Sequence, residues 1–385
     1  MATAEIIDGD SHFMEPFDLW LRYIDPEYRD RCIQFPMNDA RTEIDIVVEG
    51  NVVPRSESLS TLQLFGVATG YGQKEHDGRR LGEVDTQPLL EHRFDDMAER
   101  MRFLDREGFQ RQYIFPTLGL IWEGLIEDPA LAAAHCRAYN RWALETTADH
   151  RDRLLPFGHV SLRDPVAAVK ELELLSDAGV RGVFIAALAP GGRSLGNTDF
   201  DPIWDCAAQL EMGIGLHLVV HPHYLGSDWI RDRDPGFMFL SMNCIQDPRM
   251  ALTTMVYDGV FERFPNLHVA TVEAASGWVV EWIDRLDYRF SYMGHTCQMG
   301  RPASEIFETN IWVSADPHER TLPFTVELLG DHKFFTGSDF PHLEGFTDPV
   351  KRIRETLAAL PDTSVDRILG PNAADFLRLS QVDSL

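Results

Sequence analysis

Short runs rich in β-branched and aromatic residues alternate along the chain with longer segments whose apolar positions recur every three to four residues. This pattern predicts βα units wound around a parallel sheet. The predicted strands are Ile6–Asp10, Gln112–Phe115, Leu155–Val160, Gly182–Ala186, Gly213–Val220, Leu267–Glu273, Ile311–Ser314 and Lys333–Ser338. Eight is the count of a (β/α)8 barrel, so the expected organisation is a single α/β barrel domain over residues 1–385. Helical spacing runs through Asp95–Glu107, Pro165–Ala178, Pro202–Leu210, Arg249–Phe264 and Thr321–Leu329, with stop signals at Gly179 and at Pro265-Asn266.

Residues 41–86, after the first strand, fit no βα unit. Glu43 to Val48, a Glu49-Gly50-Asn51 turn and Val52-Val53 predict a β-hairpin, and a polar, glycine-rich tract follows. This small hairpin and loop insertion is expected either to cover the barrel mouth as a lid or to loop into solvent.

Composition narrows the partners. The 385 residues are 44% hydrophobic and 10% aromatic, enough for a large core. With 61 acidic against 35 basic residues and a formal charge of -26, a nucleic-acid backbone is an unsuitable partner. No apolar run approaches the ~20 residues of a membrane helix, and Met1-Ala-Thr-Ala-Glu5 lacks the regions of a signal peptide, so a cytoplasmic location without membrane contact is expected. Cys32, Cys136, Cys206, Cys244 and Cys297 form no Cys-x-x-Cys pair and are expected as free thiols.

In a parallel barrel the functional groups sit at the carboxyl ends of the strands, where the βα loops converge. The first strand ends in Asp10 and His12, the fifth in His217 followed by His221 and His223, and the sixth in Glu273. The seventh gives Asp316 and His318, and the eighth Asp339 and His342. Imidazoles and carboxylates together suit Zn, Mn or Fe better than Mg or Ca, which prefer oxygen alone. Glu273 reads in two ways, as a general acid/base tuned by burial or as an acceptor that orients a ligand histidine. His318 and His342 are candidate acid/base or substrate contacts. Arg193, on the Ala189-Pro-Gly-Gly-Arg turn after the fourth strand, is a candidate partner for a substrate carboxylate, against the reading of an ordinary solvated arginine. Trp122, Phe237, Phe239 and Trp278 are candidate walls for an aromatic ring, against simple packing.

Five stretches carry a resemblance. They are Asp8-Gly-Asp-Ser-His-Phe-Met-Glu-Pro16 with Leu19-Trp20, the run Cys206 to His217, Phe261-Glu-Arg-Phe-Pro-Asn-Leu267 leading to Val272-Glu-Ala-Ala-Ser-Gly-Trp278, Thr336-Gly-Ser-Asp-Phe-Pro-His342, and Ile368-Leu-Gly-Pro-Asn-Ala-Ala-Asp-Phe376. Together they resemble the amidohydrolase-related family, which includes aminocarboxymuconate-semialdehyde and γ-resorcylate decarboxylases and belongs to the metal-dependent amidohydrolase superfamily. The resemblance spans nearly the whole chain except the insertion.

It implies one divalent metal, Zn ahead of Mn or Fe, held by Asp10, His12, His217 and Asp339. His221-Pro222 is an alternative for the strand-five ligand; with His217 chosen, His221 becomes a substrate contact beside Arg193. Asp339, Glu273 and His342 are then the expected acid/base groups. The chain departs from several family decarboxylases in having Glu273 where they carry a second catalytic histidine. It also lacks the strand-four lysine that bridges two metals in other branches. The implied activity is non-oxidative decarboxylation of a small aromatic or unsaturated carboxylate, with metal-dependent hydrolysis of a C–N, C–O or C–C bond as the alternative. The implied assembly is a homodimer.

Overall fold

A computed structural model describes residues 5–36, 44–53, 71, 96–221, 227–229 and 238–379. Its strands are β1 (Ile7–Asp8), β2 (Val47–Val48), β3 (Asn51–Val52), β4 (Arg111–Ile114), β5 (Leu154–Pro156), β6 (Gly158–His159), β7 (Gly182–Ala186), β8 (Gly213–His217), β9 (His268–Val272), β10 (Ile311–Ala315) and β11 (Phe334–Thr336). In one parallel sheet β4 lies between β1 and β5, while β6 to β11 pair consecutively in a second.

Two seams close the ring. Phe157 alone separates β5 from β6; its N–H donates to Ile114 O (2.9 Å), whereas Val160 N–H donates to Phe184 O (3.1 Å). The pieces therefore act as one stave, expected as Leu155–Val160, that joins the sheets. At the other seam Gly9 N–H donates to Thr336 O (2.9 Å), Asp339 N–H to Asp10 O (2.8 Å) and His12 N–H to Phe340 O (2.7 Å). The staves β1, β4, β5–β6, β7, β8, β9, β10 and β11 thus form the expected (β/α)8 barrel.

Side-chain alternation sorts the staves' residues into two layers. Phe184 and Ala186 of β7, Ala270 and Val272 of β9, Trp312 of β10 and Phe335 of β11 fill the interior with Phe115 and Phe157. The intervening Val183, Ile185, Ile214, Leu216, Val269 and Val313 pack outward against the helices. The short helix Pro371–Phe376 lies at the opposite end from the mouth, where Phe376 joins the interior cluster.

Helix ends follow local chemistry. Asp96 caps Met97–Glu107 by accepting from Ala98 N–H (2.9 Å) and Glu99 N–H (3.3 Å), and Gly108 terminates it at φ 87°. Asp164 caps Pro165–Asp177 in the same way. The single helix expected over Arg249–Phe264 is instead two, Cys244–Tyr257 and Val260–Arg263, because Gly259 adopts φ 71° between them. The long helix Pro129–Thr146 carries buried residues on most of its turns, which blurs the amphipathic period that would have marked it.

The hairpin is present, with Val47 opposite Val52 and Val48 opposite Asn51 around Glu49 (φ 52°) and Gly50 (φ 76°). Val47 also exchanges two 2.9 Å backbone hydrogen bonds with Gln34, and Ile44, Ile46 and Val48 are buried in an apolar cluster with Trp20, Ile24 and Phe35. Tyr71 is the other described residue of the insertion; its N–H donates to Pro341 O (3.1 Å) and its ring meets Phe340. The rest of 41–86, and with it the expected lid, lies outside the described residues. Among the described residues no helix is long and apolar enough to cross a membrane.

The seam between first and last staves positions the mouth. Asp8 accepts from Ser338 N–H (2.7 Å), Ser338 Oγ–H (2.6 Å) and Gln112 Nε2 (2.7 Å), pinning β1 to both neighbours. Gly337 lets the chains touch, since a Cβ there would sit 2.3 Å from Asp10 Cβ and 2.4 Å from Asp10 N. Gly337→Ala is therefore expected to cost about 1–3 kcal/mol through overpacking, read as a lower urea midpoint. An unchanged midpoint would mean that the staves separate without penalty.

Candidate metal centre at the barrel mouth

Asp10 and His12 follow β1, His217 ends β8, Glu273 follows β9, and Asp339 and His342 follow β11. The barrel brings all six together. His12 Nε2 lies 3.5 Å from Asp10 Oδ1, 3.7 Å from Glu273 Oε2 and 3.6 Å from Asp339 Oδ1, and His217 Nε2 lies 3.1 Å from Glu273 Oε2. His342 Nδ1 is 2.8 Å from Asp339 Oδ1, and its ring stacks on that of His12 at 4.0 Å.

Asp10 Oδ1, His12 Nε2, His217 Nε2, Glu273 Oε2 and Asp339 Oδ1 are all buried without a hydrogen-bond partner among the described residues. Orphaned polar atoms are costly singly, and five pointing at one place call for a missing partner. The imidazole tautomers fit a cation. His12 Nδ1 contacts Pro116 O at 2.8 Å and His217 Nδ1 contacts Leu218 O at 2.9 Å. A carbonyl only accepts, so each Nδ1 carries the proton and each Nε2 turns a lone pair inward.

Electrostatics agree. Burial, together with the neighbouring Glu273 carboxylate, pushes Asp10 well above the usual carboxylate range. Burial pushes Glu273 up to about 8, and burial with the Glu273 and Asp10 charges raises Asp339. Burial lowers both His12 and His217, which resist taking a compensating proton. Three carboxylates cannot all ionise here alone; a divalent cation removes the conflict, and mixed N and O donors suit Zn, Mn or Fe.

Backbone geometry aims two of the acids. Glu273 and Asp339 have φ 52° and 54°, a left-handed conformation uncommon for non-glycine residues and frequent at functional sites. Because Val272 faces the barrel interior, strand alternation alone would send Glu273 outward. The turn at Glu273 returns its carboxylate to the mouth. Beside it opens a cavity of about 120 Å³ lined in part by Asp10, Glu273, Asp339, Asp316, His318 and Phe346.

Other expected contacts fall elsewhere. Arg193 is not among the residues lining that cavity; its guanidinium bonds Asp199 (3.1 Å) and Pro190 O within its own loop and covers Phe200. His221 likewise lies off the cavity, with Nε2 2.9 Å from Asp247 Oδ2, because β8 stops at His217 and the chain turns away. Trp122 is fully buried and stacks on His159 at 4.5 Å, so it packs the core and is not among the residues lining that cavity. His223 and Phe237 lie outside the described residues.

Sequence reasoning missed the supports. Glu15 is buried, and its carboxylate accepts from the backbone N–H groups of Thr117 (3.1 Å), Leu118 (2.9 Å) and Gly119 (3.2 Å), fixing the loop after β4. Thr117 Oγ contacts His342 Nε2 at 2.9 Å. These partners lie about a hundred residues or more from each other in sequence, where no local spacing could link them.

His217→Ala is expected to lose the bound metal and His221→Ala to keep it, measured by elemental analysis of protein purified without chelators. The reverse pattern would move the ligand to His221.

Comparison with known proteins agrees with the geometry. The chain is 24% identical over 307 residues to the 2-amino-3-carboxymuconate-6-semialdehyde decarboxylase of Dictyostelium discoideum, covering 79% of this chain and 80% of that protein. In fold it is similar to an amidohydrolase from Mycobacterium avium subsp. paratuberculosis K-10, with TM-score 0.80, 23% identity and coverage of 98% and 100% of the two chains. It is also similar to a dihydroxybenzoic acid decarboxylase from Polaromonas sp. JS666 solved with bound manganese and the inhibitor 2-nitroresorcinol; the TM-score is 0.64, identity 18%, and coverage 78% and 92%. Matched by the family model from residue 7 to residue 379, the chain belongs to the Amidohydrolase family.

Proposed function

We propose that the protein is a metal-dependent carboxy-lyase acting on a small aromatic or unsaturated carboxylate. The observation that carries this reading is the gathering of five unpartnered buried donor atoms, three of them on Asp10, Glu273 and Asp339, which line a small cavity. Similarity to decarboxylases supports the reaction class. Asp10, His12, His217 and Asp339 would hold the ion; their donor atoms fall in two groups that share His12, one with Asp10 and His217 and the other with Glu273, Asp339 and His342. When bound, a divalent cation there supplies Lewis-acid polarisation of the substrate's oxygens.

The chain's own groups handle the proton. Loss of CO2 leaves the electron pair of the broken C–C bond on the substrate carbon, which must take up a proton. Asp339, which lines the cavity, and His342, whose Nδ1 lies 2.8 Å from Asp339 Oδ1, can hold that proton and deliver it. Burial lowers the pKa of His342 to about 3, which leaves its imidazole neutral and able to take up a proton. The enclosed position of the cluster keeps bulk water from competing for the carbanion.

Glu273 favours a second reading. A carboxylate poised near pKa 8, 3.1 Å from His217, suits a general base that takes a proton from water in a hydrolase. Solvent labels separate the two. Hydroxybenzoates and unsaturated dicarboxylates would be screened beside lactones and amides. A lyase should place one solvent deuterium on the carbon that lost CO2 and no solvent 18O in the product. Stoichiometric 18O at the cleaved bond without CO2 release would overturn the lyase reading.

Asp339→Asn removes the acid and weakens the ligand at nearly constant shape. Turnover is expected to fall ~10²-fold or more with the fold retained, checked by steady-state kinetics alongside circular dichroism. Activity within a few fold of the parent would take Asp339 out of the mechanism.

A further inference from the structure

The contacts of His342 determine which of its two ring nitrogens carries the proton. Thr117 Oγ lies 2.5 Å from Phe13 O and 2.9 Å from His342 Nε2. A carbonyl oxygen cannot donate, so the close oxygen–oxygen contact requires the hydroxyl hydrogen to lie between Thr117 and Phe13. A hydroxyl has one hydrogen. Towards His342 it therefore presents a lone pair, and Nε2 must bring the proton.

The consequence falls on the other nitrogen. With Nε2 protonated, neutral His342 turns an unprotonated Nδ1 towards Asp339 Oδ1 at 2.8 Å. Lone pair facing lone pair is tolerable only if a positive centre sits between or beside them. The polar contacts hold this ring orientation against the flipped one: turning the buried ring over would replace Nε2 at Thr117 Oγ and Nδ1 at Asp339 Oδ1 with carbon atoms. Thr117 is fixed in turn, since Glu15 accepts its N–H.

We propose that Thr117 is a positioning residue that locks His342 in the Nε2–H tautomer, so that Nδ1 is the proton acceptor paired with Asp339. The kinetic arm of its test rests on the proposed lyase reading; the spectroscopic arm does not.

The test uses full-length, zinc-loaded protein labelled with 15N-histidine, with the His342 signals assigned by their loss in His342→Gln. Long-range 1H–15N correlation spectra should show a protonated, pyrrole-type Nε2 and an unprotonated Nδ1. A protonated Nδ1 would overturn the proposal. Thr117→Val keeps the shape but removes the acceptor, and should shift the ring to the other tautomer or to a mixture; Thr117→Ser should restore the parent pattern. Should the valine variant fold poorly, the serine variant's pattern still decides, because a hydroxyl at 117 must reproduce it. An unaltered His342 pattern in folded Thr117→Val would also overturn the positioning role. If a decarboxylated substrate is found, Thr117→Val should lower kcat about 10–100-fold, the range for lost ligand-orienting partners, with KM and metal content unchanged and recovery in Thr117→Ser. A parallel loss in metal content would assign Thr117 to the ligand scaffold instead and remove it from the proton pair.

Discussion

Buried like charge is the constraint on which the mouth of this barrel is built. Asp10, Glu273 and Asp339 come together in a space from which water is largely excluded, and burial raises all three. Ionised carboxylates at this spacing repel, and moving each out of water costs several kcal/mol even after relaxation. The two imidazoles that separate them are themselves held neutral by burial. Such a cluster is tolerated when a cation shares it, and left-handed backbone, φ 52° at Glu273 and 54° at Asp339, helps to hold it in place.

Much of the scaffold sits in a loop that contributes nothing to the cluster directly. After β4, Pro116 O fixes the tautomer of His12 and Thr117 Oγ meets His342, while Glu15 grips the N–H groups of residues 117 to 119. Arg100, buried beneath, donates to His12 O and to Gln112 Oε1, the residue whose amide also reaches Asp8. Ring orientation at the mouth, the closing seam and the core below are therefore one hydrogen-bonded assembly.

The staves were legible because alternation and spacing are local. Gly182–Ala186 is found at the expected bounds, and the ends of β8 and β9 fall where a polar residue interrupts an apolar run. His217, Asp10, His12 and Asp339 could be named because function in this topology gathers at strand ends. The aim of Glu273 was not legible, since its direction depends on one left-handed residue that breaks the two-residue period. The surroundings of Arg193 were hidden for a related reason: a cation on a loop gives no local sign that Asp199, six residues on, bonds it. Glu15 stood within a stretch that carried the family resemblance, yet its partners a hundred residues away give it meaning. Boundaries such as the break at Gly259 depend on a single backbone angle that composition does not reveal.

The seam between first and last staves also sets an order of events for a chain emerging from the ribosome. Asp8 and Ser338 are 330 residues apart in sequence yet hydrogen-bonded, and the donors beside them, Asp10, His12 and Asp339, share that separation. Local βα units can form as they are made, but contacts between the two ends must wait for the last stave. A chain halted before residue 339 would have the early donors and no complete cluster. The cluster is thus assembled only when synthesis is complete, and incomplete chains are left with their first-stave edge open to pairing with other strands.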